Sequence, residues 1–203
     1  MIGPMTHGSR DALRSLALQH LSPGDAEKWV GLLHPGARLE VAAGSDDVAG
    51  RLGGLPALPA ASEWPLWEGH GPLSFVASID CASLPLAAVD IDLPDAGTLL
   101  FFYFDGQLDD GEALVLAEDR ESWAGARVLY VAADEEVVER GTPAGVESYP
   151  VVPLTARLGM TAAEPWHPRL GTSSLQVPRS GTGMTTRSAL RSSSTPCGGS
   201  TAR

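Results

Sequence analysis

The chain has 203 residues, 43% of them apolar and 19% charged, and a formal net charge of −11. That length supports one ordinary domain with a real core, or two small ones, and the composition suits a soluble globular protein. No run approaches the roughly eighteen apolar residues of a membrane-spanning helix, and the N-terminus lacks the pattern of a secretory signal. Cys81 and Cys197 are too few for a disulfide framework, so a reducing cytoplasm is expected, with Cys81 a buried small hydrophobe. The charge is unevenly spread. Up to His167, eight Arg and Lys28 face all 25 acidic residues, a net charge of −16; beyond it there are five Arg and no acid. Such a body repels nucleic acid and anionic membrane and suits a basic protein partner.

The first thirty-six residues read as a helical hairpin. "SRDALRSLALQHL" sets Leu13, Leu16, Ala17 and Leu21 at helical spacing behind Ser9 as N-cap. "SPGDAEKWVGLLHPG" follows, with Ser22 as N-cap, Pro23 at the first helical position and Asp25 and Glu27 in the first turn. Trp29, Leu32 and Leu33 share a face, and His34-Pro35-Gly36 is expected to end the helix.

From Ala37 the period changes. "ARLEVAA" alternates as a short strand. "PLSFVASID" turns Leu73, Phe75, Ala77 and Ile79 inward and Ser74 and Ser78 outward. "GTLLFFYF", Gly97 to Phe104, is expected to be a central strand covered on both faces. Further strands are expected in "EALVLAE" (112–118), "ARVLYVAA" (126–133), "EEVVER" and "YPVVPLTARL", with Asp-Gly and Gly-Thr-Pro turns between several of them. Strands succeed strands without intervening helices. The expected class is therefore α+β: a helical hairpin at 1–36, a mainly antiparallel sheet domain at 37–167 and a tail at 168–203. The tail, rich in Ser, Thr, Gly and Arg and devoid of acid and aromatic residues, is expected to be disordered because it buries too little to offset its ordering entropy. Its five arginines, without aromatics, make a thin nucleic-acid footprint.

"RLGGLPALPAASEWP", Arg51 to Pro65, resembles a phosphate loop only in its adjacent glycines. It has no third spaced glycine and no Lys-Ser/Thr, and Pro56 and Pro59 remove donors and forbid a helix start. The stereochemical reading is better. Gly53 and Gly54 permit a left-handed turn, the prolines stiffen the path and Trp64 anchors it on the sheet.

In order and spacing, "GGLPALP…EWP", "GPLSFVASID" and "LPDAGTLLFFYF" resemble the YwqG-like family, a bacterial domain of unknown function. The likeness runs from Arg51 to Leu158. It rests on Gly53, Gly54, Pro56, Pro59, Trp64, Pro65, Leu73, Phe75, Asp80, Leu84, Pro85, Pro94, Gly97, Leu99, Phe101 and Phe102. It implies an α+β fold dominated by antiparallel sheet and no established activity. It also implies, through genes that sit beside toxin systems, an immunity-type or accessory role. Family members continue with more sheet, whereas this chain changes composition after His167, as high-GC DNA read out of frame would. A frameshift or early truncation that removes the last third of the fold is the expectation.

Chemical motifs are sparse. "DGQLDDGEALVLAE" fails as an EF-hand from Asp105, since position 6 is Asp110 and position 12 is Leu116, and reads as an acidic hairpin turn. His7, His20, His34, His70 and His167 lack metal-ligand spacing, and no metal or cofactor is expected. Ser78 lies in a strand, away from any nucleophile elbow. Asp80 beside Cys81 raises the thiol pKa, and its expected role is to cap the turn at Ala82-Ser83. Trp64, Trp67 and Trp123 read as core or loop anchors. The leading expectation is a non-catalytic binding module for a protein partner. The alternative is a small-ligand binder or enzyme with a pocket near the Gly53–Trp64 loop. Its candidate residues are Arg51, Gly53, Gly54, Trp64, His70 and Asp80.

Overall fold

The computed structural model describes residues 9–162. The expected tail at 168–203 and the proposed break in reading frame lie outside the described residues. The architecture is α+β: two helices and a six-stranded, wholly antiparallel sheet, with two small two-stranded sheets beside it.

Helix α1 (Arg10–His20) opens on Ser9, whose Oγ accepts the Ala12 N–H, and α2 (Pro23–Val30) opens on Ser22, whose Oγ accepts the Asp25 N–H. Each cap satisfies one of the orphan donors of a first turn. The hairpin closes on Leu13, Ala17, Ala26, Val30 and Leu33, against which Met160 of the last strand packs. Leu16, expected on the inner face, is 37% exposed. His34-Pro35-Gly36 does not terminate α2. The helix stops at Val30 with Gly31 as C-cap, and His34 already begins β1 (His34–Val41). Pairing with β10 (Val152–Thr161) decides this, since Pro35 lies opposite Met160 and Gly36 opposite Gly159.

The main sheet has the order β1-β10-β2-β6-β7-β8, where β2 is Gly50–Leu52, β6 Ser74–Asp80, β7 Thr98–Tyr103 and β8 Ala126–Val131. The Gly-Pro-Trp segment is more ordered than a loop. It supplies β2 and β3 (Ala57–Pro59), and β3 pairs with β9 (Val137–Glu139), all that forms of the expected "EEVVER" strand. A further small ribbon joins β4 (Leu66–Trp67) to β5 (Gly71–Pro72). Glu112–Glu118 is not a strand but turn and loop. The Asp109 carboxylate accepts the Gly111 and Ala113 N–H groups there, a local pairing that competes with a ladder.

The core holds Leu58, Leu73, Phe75, Leu100, Phe102, Phe104 and Val131, with Trp64 and Trp67 packed on it. Two expectations about faces are corrected. A register shift between Phe75 and Ala77 switches the pleat of β6, so Ser74 is buried beside Phe75 instead of facing outward. Strand β7 is central but not covered on both sides: Leu100 and Phe102 are buried, Leu99 and Phe101 half-buried, and Tyr103 exposed. Among the described residues no helix is long and apolar enough to cross a membrane.

Candidate functional site

The glycine pair shapes the approach to a cleft. Gly53 has φ +65°, and a Cβ there would lie 2.2 Å from the Pro150 carbonyl oxygen. Its N–H donates to the Val76 oxygen and that of Gly54 to the Tyr149 oxygen, so both glycines clamp backbone to backbone. The Arg51 guanidinium turns along the same loop and donates to the Gly53 and Leu55 oxygens. Pro56 and Leu58 are fully buried, and the Arg140 N–H and guanidinium tie the segment down at the Pro56 and Ser62 oxygens.

Between this strap and the main sheet lies a cleft of about 510 Å³. Its floor comes from β2, β6, β7 and β8 and its far wall from β3 and β9. Arg51 lies opposite Ser78, and Asp80 opposite Thr98, so all four side chains share one face of the sheet. The Asp80 carboxylate accepts from the Ala82 N–H and the Ser83 hydroxyl, which is the turn-capping role expected of it. The hydroxyls of Ser78 and Thr98 and the carboxylate of Glu135 have no partner among the described residues. Apolar surface from Leu100, Val131, Val137 and Pro153 lines the rest. Cys81, next to Asp80, is fully buried; burial, then the Asp80 charge, pushes its thiol pKa up, away from reactivity.

The sequence candidates separate. The cleft collects Arg51 and Asp80, with Gly53 and Gly54 in the loop that shapes it. Trp64 is a core anchor: its Nε1–H donates to the Leu73 oxygen and its ring meets Phe102 edge-on. His70 lies elsewhere, stacked on Trp67 with centroids 3.8 Å apart, and does not line the cleft. Trp123 holds a loop by donating to the Leu116 and Ala117 oxygens. Ser78, Thr98 and Glu135 were not among the sequence candidates. An alternating strand does place Ser78 and Asp80 on one face, but their junction with Thr98 and Glu135 needs the sheet register.

A second polar cluster binds the 105–111 turn to the 142–151 segment. The Tyr149 hydroxyl donates to the Asp105 carboxylate, and the Gln107 amide donates to Asp105 and the Ser74 hydroxyl while accepting the Glu147 N–H. Burial raises the Asp105 pKa, but hydrogen bonds from Tyr149, Gln107 and Ser74 outweigh it and hold the carboxyl below its ordinary value. Burial and the same carboxylate push Tyr149 up to about 12. Both residues flank an open apolar groove of about 580 Å³ that includes Phe101, Tyr103 and Val128. No group of three His, Cys, Asp or Glu among the described residues is placed to hold a metal ion.

The profile of a family described as "Domain of unknown function (DUF1963)" matches residues 50–191. The chain belongs to the DUF1963 family. The match begins at β2, so in this DUF1963 protein α1, α2 and β1 precede the matched region, and the cleft lies within it. No curated protein matches the DUF1963 chain.

Proposed function

We propose that this protein is a YwqG-like, non-catalytic binding module of the bacterial cytoplasm that recognises a basic protein partner through the mouth of the cleft. One observation carries the reading: two acids there have no ion-pair partner among the described residues, and they outnumber the single Arg or Lys lining the cleft, Arg51, whose donors are spent on loop carbonyls. Asp80 and Glu135 take part in no ion pair among the described residues, and Arg51 is committed to loop carbonyls. The pattern is general. Of the described cations, only Arg127 lacks an internal partner. The excess negative charge therefore faces outward and steers a cationic surface. An immunity-type or accessory role beside a toxin is one setting for such a module.

The test is retention of a partner from the source cell at about 0.1 M and about 0.5 M salt, where screening shortens from about 10 Å to a few ångströms. A basic partner held at low salt, released at high salt and lost with Asp80→Asn/Glu135→Gln supports the reading. Asp119→Asn/Glu121→Gln, outside the cleft, serves as the matched charge control. Retention indifferent to salt, or lost equally with the control pair, refutes it. The second reading, a small-ligand binder near the Gly53–Trp64 loop, draws support from the cleft volume, which falls within the usual range for ligand sites. A catalytic version using Arg51, His70 and Asp80 together loses its geometry, because His70 packs on Trp67 and Phe104.

A further inference from the structure

We infer that the cleft is a pocket for a primary alkylammonium group, the side chain of a lysine on the basic partner; this rests on the reading above. Ser78, Asp80 and Thr98 form a triangle on one face of adjacent strands, with Asp80 and Thr98 directly opposite each other. Cross-strand neighbours of this kind have Cβ atoms about 5 Å apart, within reach of one small cation. The two hydroxyls are uncommitted, so each has a lone pair to offer. Asp80 has already spent one acceptor position on each oxygen, to Ala82 and Ser83. One lone pair remains on each oxygen, and the Ser78 and Thr98 hydroxyls set further acceptors apart from them, a scattered arrangement that suits an ammonium, whose three donors point apart, better than a planar guanidinium fork. Three dispersed acceptors fit that shape. Leu100, Val131, Val137 and Pro153 supply the apolar surface along which a methylene stem packs. Glu135 at the hairpin adds a second carboxylate, so the acids outnumber Arg51, whose guanidinium turns along the loop onto the Gly53 and Leu55 oxygens.

The experiment titrates N-acetyl-lysine methylamide, N-acetyl-arginine methylamide and cadaverine into the isotope-labelled full chain and follows amide shifts. The lysine analogue is expected to shift Ser78, Asp80, Thr98 and Val131 saturably and to bind about tenfold more tightly than the arginine analogue. Thr98→Val, which keeps shape and removes the hydroxyl, is expected to weaken it about tenfold, and Thr98→Ser to restore it. An unchanged spectrum away from the cleft shows that the variants fold. Equal binding of the two analogues, shifts centred outside the cleft, or indifference to Thr98→Val overturns the inference. Cadaverine binding about tenfold more tightly than the lysine analogue assigns the pocket to free amines and also overturns it. A salt-sensitive basic partner whose capture ignores Thr98→Val sinks this inference and leaves the binding-module reading standing. Salt-indifferent capture sinks that reading, and the lysine source with it.

Discussion

Gly53 shows how one residue governs the strap above the cleft. Its backbone is left-handed, and a methyl group there would collide with the carbonyl oxygens of Tyr149 and Pro150. Gly53→Ala is expected to lower stability by about 2–4 kcal/mol, read from urea unfolding. A loss below about 0.5 kcal/mol, the range of an inert surface change, would show that the crossing relaxes freely. Tyr149 carries a second prediction. A phenol raised to about 12 titrates after an ordinary tyrosine at about 10, in ultraviolet absorbance against pH. Because the folded pKa is the higher one, this contribution to stability is complete below about pH 10 and is lost as pH rises toward about 12. Asp105→Asn removes the charge and leaves the phenol a weaker, neutral acceptor, so Tyr149 should titrate earlier while burial keeps it above the ordinary value. Asp105 works in the opposite sense. Its depressed pKa stabilises the fold above its unfolded value, about 3.9, and that stabilisation is lost as pH falls through the folded one.

At the scale of elements, the helical hairpin follows local rules and most of the sheet does not. Ser22 both accepts the Asp25 N–H and donates its hydroxyl to the Asp25 carboxylate, and Pro23 follows it inside the first turn. Ser22→Ala should cost about 1 kcal/mol in thermal or urea unfolding, and Ser22→Asp should recover most of it. Ser9, Ser22, Pro23 and the apolar spacing made both helices readable from sequence, because caps and periodicity act within a few residues. The Glu112–Glu118 segment misled for the same local reason. Its short apolar run between two glutamates matches a strand, but Asp109 and Ser122 bind the backbone within it and no neighbouring strand among the described residues pairs with it. Strands β2 and β3 were hidden within a proline-rich stretch. Only β6 and β10, on either side of β2, and β9, beside β3, give their backbones partners, and all three lie apart from them in sequence.

At the scale of the whole molecule, the described residues form two apolar clusters of different weight. The main one holds three phenylalanines and two packed tryptophans; the helical one holds no buried aromatic residue and relies on Leu, Val and Ala, with Trp29 packed on it and Met160 as its link to the sheet. Native-state amide exchange should therefore show α1 and α2 opening below the global unfolding free energy, with β6 and β7 exchanging only on global unfolding. If the amides of α1 and β7 shared one opening free energy and one denaturant slope, the clusters would be a single cooperative unit. The charge also belongs to this scale. A net −16 up to His167 is a sum over residues, yet its direction depends on which cations the fold consumes internally. Arg51, Arg140 and Arg157 all point back into the chain.

The sequence by itself determined the α+β class, the two capped helices, the antiparallel habit of the strands, the scaffold role of the glycine–proline–tryptophan segment, the capping role of Asp80 and the acidic character of the body. These depend on local periodicity, turn stereochemistry and summed charge, which residues carry wherever they lie. Only the tertiary structure decided that Ser78 and Asp80 meet Thr98 and Glu135, that His70 joins Trp67 instead of Arg51, and that Tyr149 meets Asp105. The placing of Ser78 and Asp80 beside Thr98 follows from strand register and from the bulge in β6, where a shift of one residue exchanges the two faces of a strand, while the other junctions follow from how the turns and loops pack on that sheet. Register is set by pairing between segments tens of residues apart, and nothing in either segment alone encodes it.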